Sequence, residues 1–290
     1  LPGRDIDCIF LADLKSKYPE KFSKKIPFGS SYIPGVMLDK DKSSEFCKKN
    51  DLSFADTLLY TNEDDMEVLN AFIIKNGFPL VVEPREGFGS MKFFLNEEQV
   101  REYTKDGDVL FQEFPGNPED IFKYKDLHKK GIPLFFQVPE VIQYTTQVII
   151  HPDGSLFKVF FTINTMVFGR NEYIRELFND DVVKLTHKFA KAFYENGWYG
   201  PLNIQLKPDQ KGNWKIFELK ARHSGSTSAR VLLGFDEIGI LADIFAPEFN
   251  IPILEKTKKT TDQVFKYLHD NLLLSEDIEN LEANKAWKKR

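Results

Sequence analysis

The most suggestive chemistry lies between residues 200 and 228. From Trp214 to Ala221 the residues alternate, and a strand period of two puts Trp214, Ile216, Glu218, Lys220 and Arg222 on one face. Lys215, Phe217, Leu219 and Ala221 then share the other. Just upstream, Asn203 and Gln205 alternate with Leu202, Ile204 and Leu206, so a second polar row can face the same way. A sheet face ending in Gln205, Glu218 and Arg222, backed by apolar residues, has the donors to hold a divalent metal with phosphate oxygens against it. A solvated antiparallel face with surface ion pairs fits the same spacing.

A second candidate is the run Glu86-Gly87-Phe88-Gly89-Ser90. At a hairpin tip its backbone N–H groups can lie over an anion, although an ordinary tight turn has the same composition. It is not a P-loop, which needs a Gly-Lys-Ser/Thr end running into a helix, whereas the residues after Ser90 read as a strand. His223-Ser224-Gly225-Ser226-Thr227-Ser228 supplies hydroxyls next to the charged face but lacks the strand–Gly-x-Ser-x-Gly–helix setting of a nucleophile. His128, His151, His187 and His269 have no paired metal spacing and read as surface or packing residues. Cys8 and Cys47 have no partner spacing for a disulfide or zinc site and read as structural thiols.

The elements that must position these residues come from a chain long enough, at 290 residues, for two or three lobes around one cleft. With 42% hydrophobic and 29% charged residues it is expected to be ordered and globular. A net charge of −5 with interspersed signs offers no basic surface to nucleic acid. Its apolar runs are too short to cross a bilayer and no secretion signal is evident, so a cytoplasmic protein without a membrane partner is the expectation.

Asp5 to Leu11 reads as a buried strand, and the Lys-rich segment to Pro34 as loop with a short helix. Helices are expected over Asp41–Asn50 and Met66–Asn76, the second stopped by Gly77. Leu80–Val82 and Met91–Leu95 make a hairpin around 85–90, Asn96 caps a helix, and Val109–Phe114 is a strand. Residues 115–141 form an excursion from the sheet. Tyr144–Ile150 and Leu156–Thr165 pair around His151–Gly154, with Phe157, Val159, Phe161 and Ile163 on one face. Asp180 opens a helix with Val182, Leu185, Phe189 and Phe193 on one stripe, closed by Gly197. Leu202–Leu206 and Trp214–Ala221 follow as strands, and Thr261–Leu274 as an amphipathic helix before a charged tail.

This order resembles the ATP-grasp superfamily over about residues 36 to 245, nearest its carbamoyl-phosphate-synthase-like and amino-acid-ligase-like branches. Asp39-Lys40 matches the "DK" that opens the first helix there. Pro79 to Ser90 matches the "PxxxKPxxGxGS" hairpin, and Gln112-Glu113 with Gly116 matches "xxQExxxG". Gly200, Asn203, Gln205, Glu218, Arg222, Ser224, Gly225 and Ser228 match "GxxNxQ…xExNxRxSGxxS", the specific part of the resemblance.

The resemblance implies an α+β, two-lobe ATP-grasp fold and an ATP-dependent ligase that joins a small carboxylate to an amine through an acyl phosphate. ATP would be held by Glu83, Arg85, Gly87, Gly89, Ser90, Gln112, Glu113 and Phe114. Mg2+, or Mn2+, would sit on Gln205 and Glu218. Arg222 and Lys220 would act catalytically, with Ser224, Gly225 and Ser226 as a substrate loop. Ile6–Leu11 would be the last strand of a remnant doubly wound domain, the rest lying upstream of Leu1. Residues 1–35 then end that domain, 36–110 form the small lobe, 111–250 the large lobe and 251–290 a C-terminal helical segment. A homodimer is the candidate assembly.

Two positions depart from the pattern. Glu83 stands where the family hairpin carries Lys or Arg, and Lys220 where it has a metal-binding Asn. With both facing one cleft, an ion pair between Glu83 and Lys220 is expected, either supporting a modified phosphate site or plugging it. The alternative to a ligase is a degenerate ATP-grasp protein that binds nucleotide or metabolite weakly, as a partner or regulatory subunit without turnover.

Overall fold

The computed structural model describes residues 3–23, 26–61, 66–84, 92–104, 108–122, 141–167, 170–249, 261–266 and 283. Two antiparallel sheets organise them. The smaller contains β1 (Thr57–Tyr60), β2 (Leu80–Pro84), β3 (Lys92–Phe94) and β4 (Val109–Glu113), in the order β1-β4-β2-β3. The larger contains β5 (Val141–Ile150), β6 (Phe160–Val167), β7 (Arg170–Leu177), β8 (Gly200–Pro208), β9 (Trp214–Lys220) and β10 (Gln263–Phe265), in the order β10-β7-β6-β5-β8-β9. The α+β architecture is therefore as expected.

Ten α-helices appear among the described residues: α1 (Asp5–Lys17), α2 (Pro19–Phe22), α3 (Tyr32–Leu38), α4 (Lys40–Lys49), α5 (Met66–Asn76), α6 (Glu97–Tyr103), α7 (Glu119–Phe122), α8 (Asp180–Glu195), α9 (Thr227–Leu232) and α10 (Glu237–Phe245). Short polar side chains set several starts. Asp39 accepts from Asp41 N and Lys42 N, Asn96 from Gln99 N, and Asn179 from Asp181 N and Val182 N. Gly77 and Gly197 follow α5 and α8 with φ of 68° and 87°, a region open to glycine.

The expected first strand is a helix. Arg4 and Asp7 bond reciprocally at its start, Asp5 and Asp7 lie in its first turn and Lys15 and Lys17 in its last. Only Cys8 and Ala12, four apart, are buried, while Ile6 and Phe10 are exposed. The apolar run that suggested a doubly buried strand is thus one narrow helical stripe. Residues 263–265 of the expected C-terminal helix form β10 against β7, with Val264 opposite Ile174 and packed on the cluster that contains it. The later part of that segment lies outside the described residues. In the hairpin of β5 and β6, Leu156 forms an isolated bridge with Ile150, the continuous ladder begins at Phe160, and Phe157 is exposed.

The large sheet carries the main core on one face. Val148, Ile150, Phe161, Leu202, Ile204, Leu206, Ile216 and Leu219 pack there against α3, α4 and α8. Phe46 of α4 stacks on Phe193 of α8 at 4.6 Å, and Phe28 on Trp198 at 5.8 Å. On the opposite face α9 and α10 cover only the end around Ile149, Phe160 and Ile174. The smaller sheet has its own core, with α5 and α6 over Leu80, Val82, Val109 and Phe111.

The two sheets meet at the edge of β9. Ala55 N donates to Ile216 O at 2.6 Å, and the Gln112 side chain donates to Phe217 O at 3.2 Å and to Thr57 Oγ1 at 3.1 Å. Away from α9 and α10 the same face of the large sheet is a polar floor, on which Thr145, Thr162, Asn164, Asn203 and Gln205 are buried. Among the described residues no helix is long and apolar enough to cross a membrane.

Burial pushes both thiols up to about 12, with Asp5 adding to the effect at Cys8. Native protein at pH 8 should therefore react with a thiol-specific disulfide reagent orders of magnitude more slowly than unfolded protein, in which both cysteines titrate normally. Fast labelling of either in the native state would mean that α1 or α4 does not pack as described.

Candidate functional site

The register of β9 against β8 decides which side chains reach the floor. Asn203 faces Lys220, Ile204 faces Leu219 and Gln205 faces Glu218, but Leu206 then faces Ile216. Phe217 is the extra residue of a β-bulge, and a bulge reverses the alternation of the strand that carries it. Glu218 and Lys220 therefore share the face of Asn203 and Gln205, as the spacing suggested. Trp214 and Ile216 do not. Both turn to the main core, Ile216 fully buried, while Lys215 comes round to the cleft.

The same floor continues across the sheet. Gln205 accepts a bond from Gln143, Thr145 and Thr162 share one at 2.8 Å, and Asn164 donates to Thr145 at 3.0 Å. Asn203 donates to Gln147 at 2.9 Å. The Asn164 carbonyl oxygen is buried without a partner among the described residues. These polar residues alternate with core residues along β5, β6 and β8, a period-two signal that was present in the sequence outside the sheet edge.

Charge pairs are distributed differently from the expectation. Glu83 does not meet Lys220; its Oε2 lies 2.5 Å from Nζ of Lys40, the first residue of α4. Lys220 instead lies 3.3 Å from Glu218 on its own strand. The reason is positional. α4 sits between the sheets and brings Lys40 to β2 first. At Glu218 burial opposes the charged form, but Lys220, Lys40 and Arg222 outweigh it and hold the carboxyl below its ordinary range. Arg222 does not end an exposed row: it is half-buried, with NH2 2.6 Å from Asp5 of α1 and NH1 2.9 Å from the His223 carbonyl.

These residues do not fit a divalent ion on Gln205 and Glu218. The Glu218 carboxylate is already neutralised by an ammonium, and the Gln205 oxygen already accepts from Gln143. A doubly charged ion about 4 Å from that ammonium would meet a repulsion of about 8 kcal/mol at an effective dielectric of about 20. Among the described residues no group of three or more His, Cys, Asp or Glu could hold a metal.

Of the nucleotide-site candidates, Arg85, Gly87, Gly89 and Ser90 lie outside the described residues. The Gln112 amide joins the two sheets and is almost fully buried. Glu113 bridges them as well, pairing with Lys215 and accepting from Asp56 N at 3.0 Å. Phe114 lies edge-on to Phe93 at 5.5 Å, with the Lys207 ammonium 4.9 Å from its ring centroid. Burial lowers Lys207 to about 8, against the pull of Asp120, while the ring face favours its charged form. Sequence reasoning missed Lys207, although it lies two residues beyond Gln205 on a strand already read as alternating.

The loop after β9 is anchored, not free. Ser224 Oγ accepts from Arg230 at 3.0 Å, Ser226 Oγ from Asn171 at 2.9 Å, and the Gly225 carbonyl from Lys266 at 2.6 Å. Beneath it Arg230 and Glu237, both buried, pair at 2.6 Å, with His223 Nδ1 3.1 Å from the other Glu237 oxygen. Burial opposes the Glu237 charge, and His223, Arg230 and Thr227 outweigh it to keep the carboxyl below its ordinary range. An arginine inside the apolar run Ala229–Leu233 was the signal for this cluster.

Neither a protein-family model nor a curated protein matches the sequence. Solved structures do match. N5-carboxyaminoimidazole ribonucleotide synthetase from Thermotoga maritima is 18% identical over 81% of this chain and 55% of its own, with a TM-score of 0.53. L-amino acid ligase from Bacillus licheniformis is 14% identical over 75% of this chain and 50% of its own, also at 0.53. N5-carboxyaminoimidazole synthase from Aspergillus clavatus, in complex with ADP and 5-aminoimidazole ribonucleotide, is 11% identical over 79% of this chain and 55% of its own, at 0.57. The chain spans about half the length of these proteins. They are ATP-grasp ligases, and this chain has the ATP-grasp fold.

Replacing Glu237 by Gln should cost about 3–5 kcal/mol of stability in urea unfolding, because it leaves Arg230 buried beside a neutral partner. A loss below about 1 kcal/mol would show that solvent reaches the cluster.

Proposed function

We propose that this chain is a nucleotide-dependent ligase that joins a small carboxylate to an amine. The observation that carries the reading is the convergence of Lys40, Lys220 and Arg222 around Glu218 where the two sheets meet, on the fold shared with ATP-grasp ligases. Three cations at one polar floor suit a polyphosphate and the acyl phosphate made from it.

In the reaction a carboxylate oxygen attacks the γ-phosphorus of ATP and ADP leaves. An amine nitrogen then adds to the acyl carbon, phosphate departs, and the amine proton is lost to solvent. The residues work by placement and charge neutralisation, which needs no acid–base dyad. Arg222 already holds the Asp5 carboxylate at 2.6 Å, the recognition that a carboxylate substrate or its phosphate requires.

A second reading, a nucleotide-binding partner subunit without turnover, is favoured by the same two pairs. Lys40 with Glu83 and Arg222 with Asp5 occupy cations that a working site needs.

ADP release, followed with a panel of amino acids and small carboxylates plus amines, separates the two. Turnover by the native chain supports the ligase. Arg222→Ala should then lower the rate by about 100-fold or more. Asp5→Ala, which removes the same ion pair from the other side, should leave the rate unchanged or higher, with a similar shift in melting temperature. Equal losses in the two variants would make Arg222 a structural residue. No release with any substrate would favour the partner subunit.

A further inference from the structure

Lys220 stands on the floor where the resemblance implies a divalent ion, and its surroundings are built for an ammonium. It and Glu218 share the face set by the bulge, their charged ends are 3.3 Å apart, and both side chains are largely buried, at 20% and 28% exposure. Lys40, paired with Glu83, is near enough to Glu218 to favour its charged form. Gln205, the other residue implied as a metal ligand, is buried and turned to Gln143. The charges at this point are therefore balanced as they stand: two carboxylates against two ammoniums. A divalent ion added there would have to displace Lys220 from Glu218.

Resting on the ligase reading above, we propose that the Lys220 ammonium, held by Glu218, does at this position the work of a divalent cation. A nucleoside polyphosphate then takes N–H donors from Lys220 and Lys40 as their carboxylate pairs re-partition, and no metal is bound on Glu218. A phosphate oxygen arriving at Lys220 takes one of its N–H donors while Glu218 keeps another, as a three-donor ammonium permits. Lysine is a compact point charge with rotatable donors, suited to that exchange. This differs from the role implied for Glu218 and Gln205 by the resemblance, and it assigns to Lys220 the choice between metal-dependent and metal-independent binding.

The test is calorimetric titration of the full chain with ADP, in excess EDTA and in excess Mg2+. The native protein should show a Kd that changes less than about threefold between the two conditions, whereas Lys220→Asn should bind at least about tenfold more tightly with Mg2+ than with EDTA. Native binding that needs Mg2+ by tenfold or more overturns the proposal and leaves the ligase reading intact. Absence of ADP binding in both conditions, by protein with a cooperative melting transition, overturns the ligase reading and this proposal with it. A second measurement keeps the test independent of whether Lys220→Asn folds. Mn2+ titrated into the native protein with ADP, read by electron paramagnetic resonance, should give the same number of bound ions in Glu218→Gln. Loss of an ion in that variant would place a metal on Glu218 and overturn the proposal.

Discussion

A single inserted residue in β9 governs the junction of the two sheets. Without the bulge at Phe217, strict alternation would put Ile216 beside Glu218 in the cleft. With it, Ile216 stays in the main core and its carbonyl accepts from Ala55, while the Phe217 carbonyl accepts from Gln112. Lys215 is free to reach Glu113 across the junction. The same irregularity thus keeps the core dry, ties the small sheet to the large one and aims Glu218 and Lys220 at the floor. A bulge is tolerated here because β9 is the sheet edge, where one side of the ladder has no further strand to satisfy among the described residues.

Around that point the protein keeps charges in matched pairs. Lys40 with Glu83, Lys215 with Glu113 and Arg222 with Asp5 pair across elements at short range, and Lys220 with Glu218 within β9. All lie partly out of water, where an unmatched charge is costly. A ligand that brings several negative charges would re-partition these pairs without adding to them, and the polar floor of Gln143, Thr145, Thr162 and Asn164 supplies neutral dipoles beside them.

Much of this was legible from residue order. Although the caps at Asp39 and Asn179 were not read, the cap at Asn96, the stripe of α8, and the facing rows of β8 and the end of β9 were readable because each depends on neighbours close in sequence. The helix α1 was not, since Asp5 to Leu11 is apolar enough for a buried strand and only the tertiary contact of Cys8 with Ala221 decides the stripe. The bulge was missed although the sequence marks it: Ile216 and Phe217 are two apolar residues in a row, so the alternation of types changes phase there. The partner of Glu83 was missed for another reason: two lysines were near in the cleft, and only the path of α4 decides which arrives. The strands β1, β7 and β10 are short or polar enough that pairing, not composition, makes them strands.

The small sheet leaves and rejoins the large body at one place. Asp56, just before β1, gives its carbonyl to Glu113 N at 2.9 Å, and its own N–H goes back to the Glu113 carboxylate. From the body's side, everything between these two residues is therefore a closed loop whose ends already touch. Closure entropy grows only slowly with loop length. The lobe can be lengthened, trimmed or exchanged for another with touching ends, and the geometry of the body is left as it was. It is a cassette whose ends share one clasp, and the side-chain ties of Gln112 to Phe217, Glu83 to Lys40 and Glu113 to Lys215 are what an exchanged lobe would have to keep.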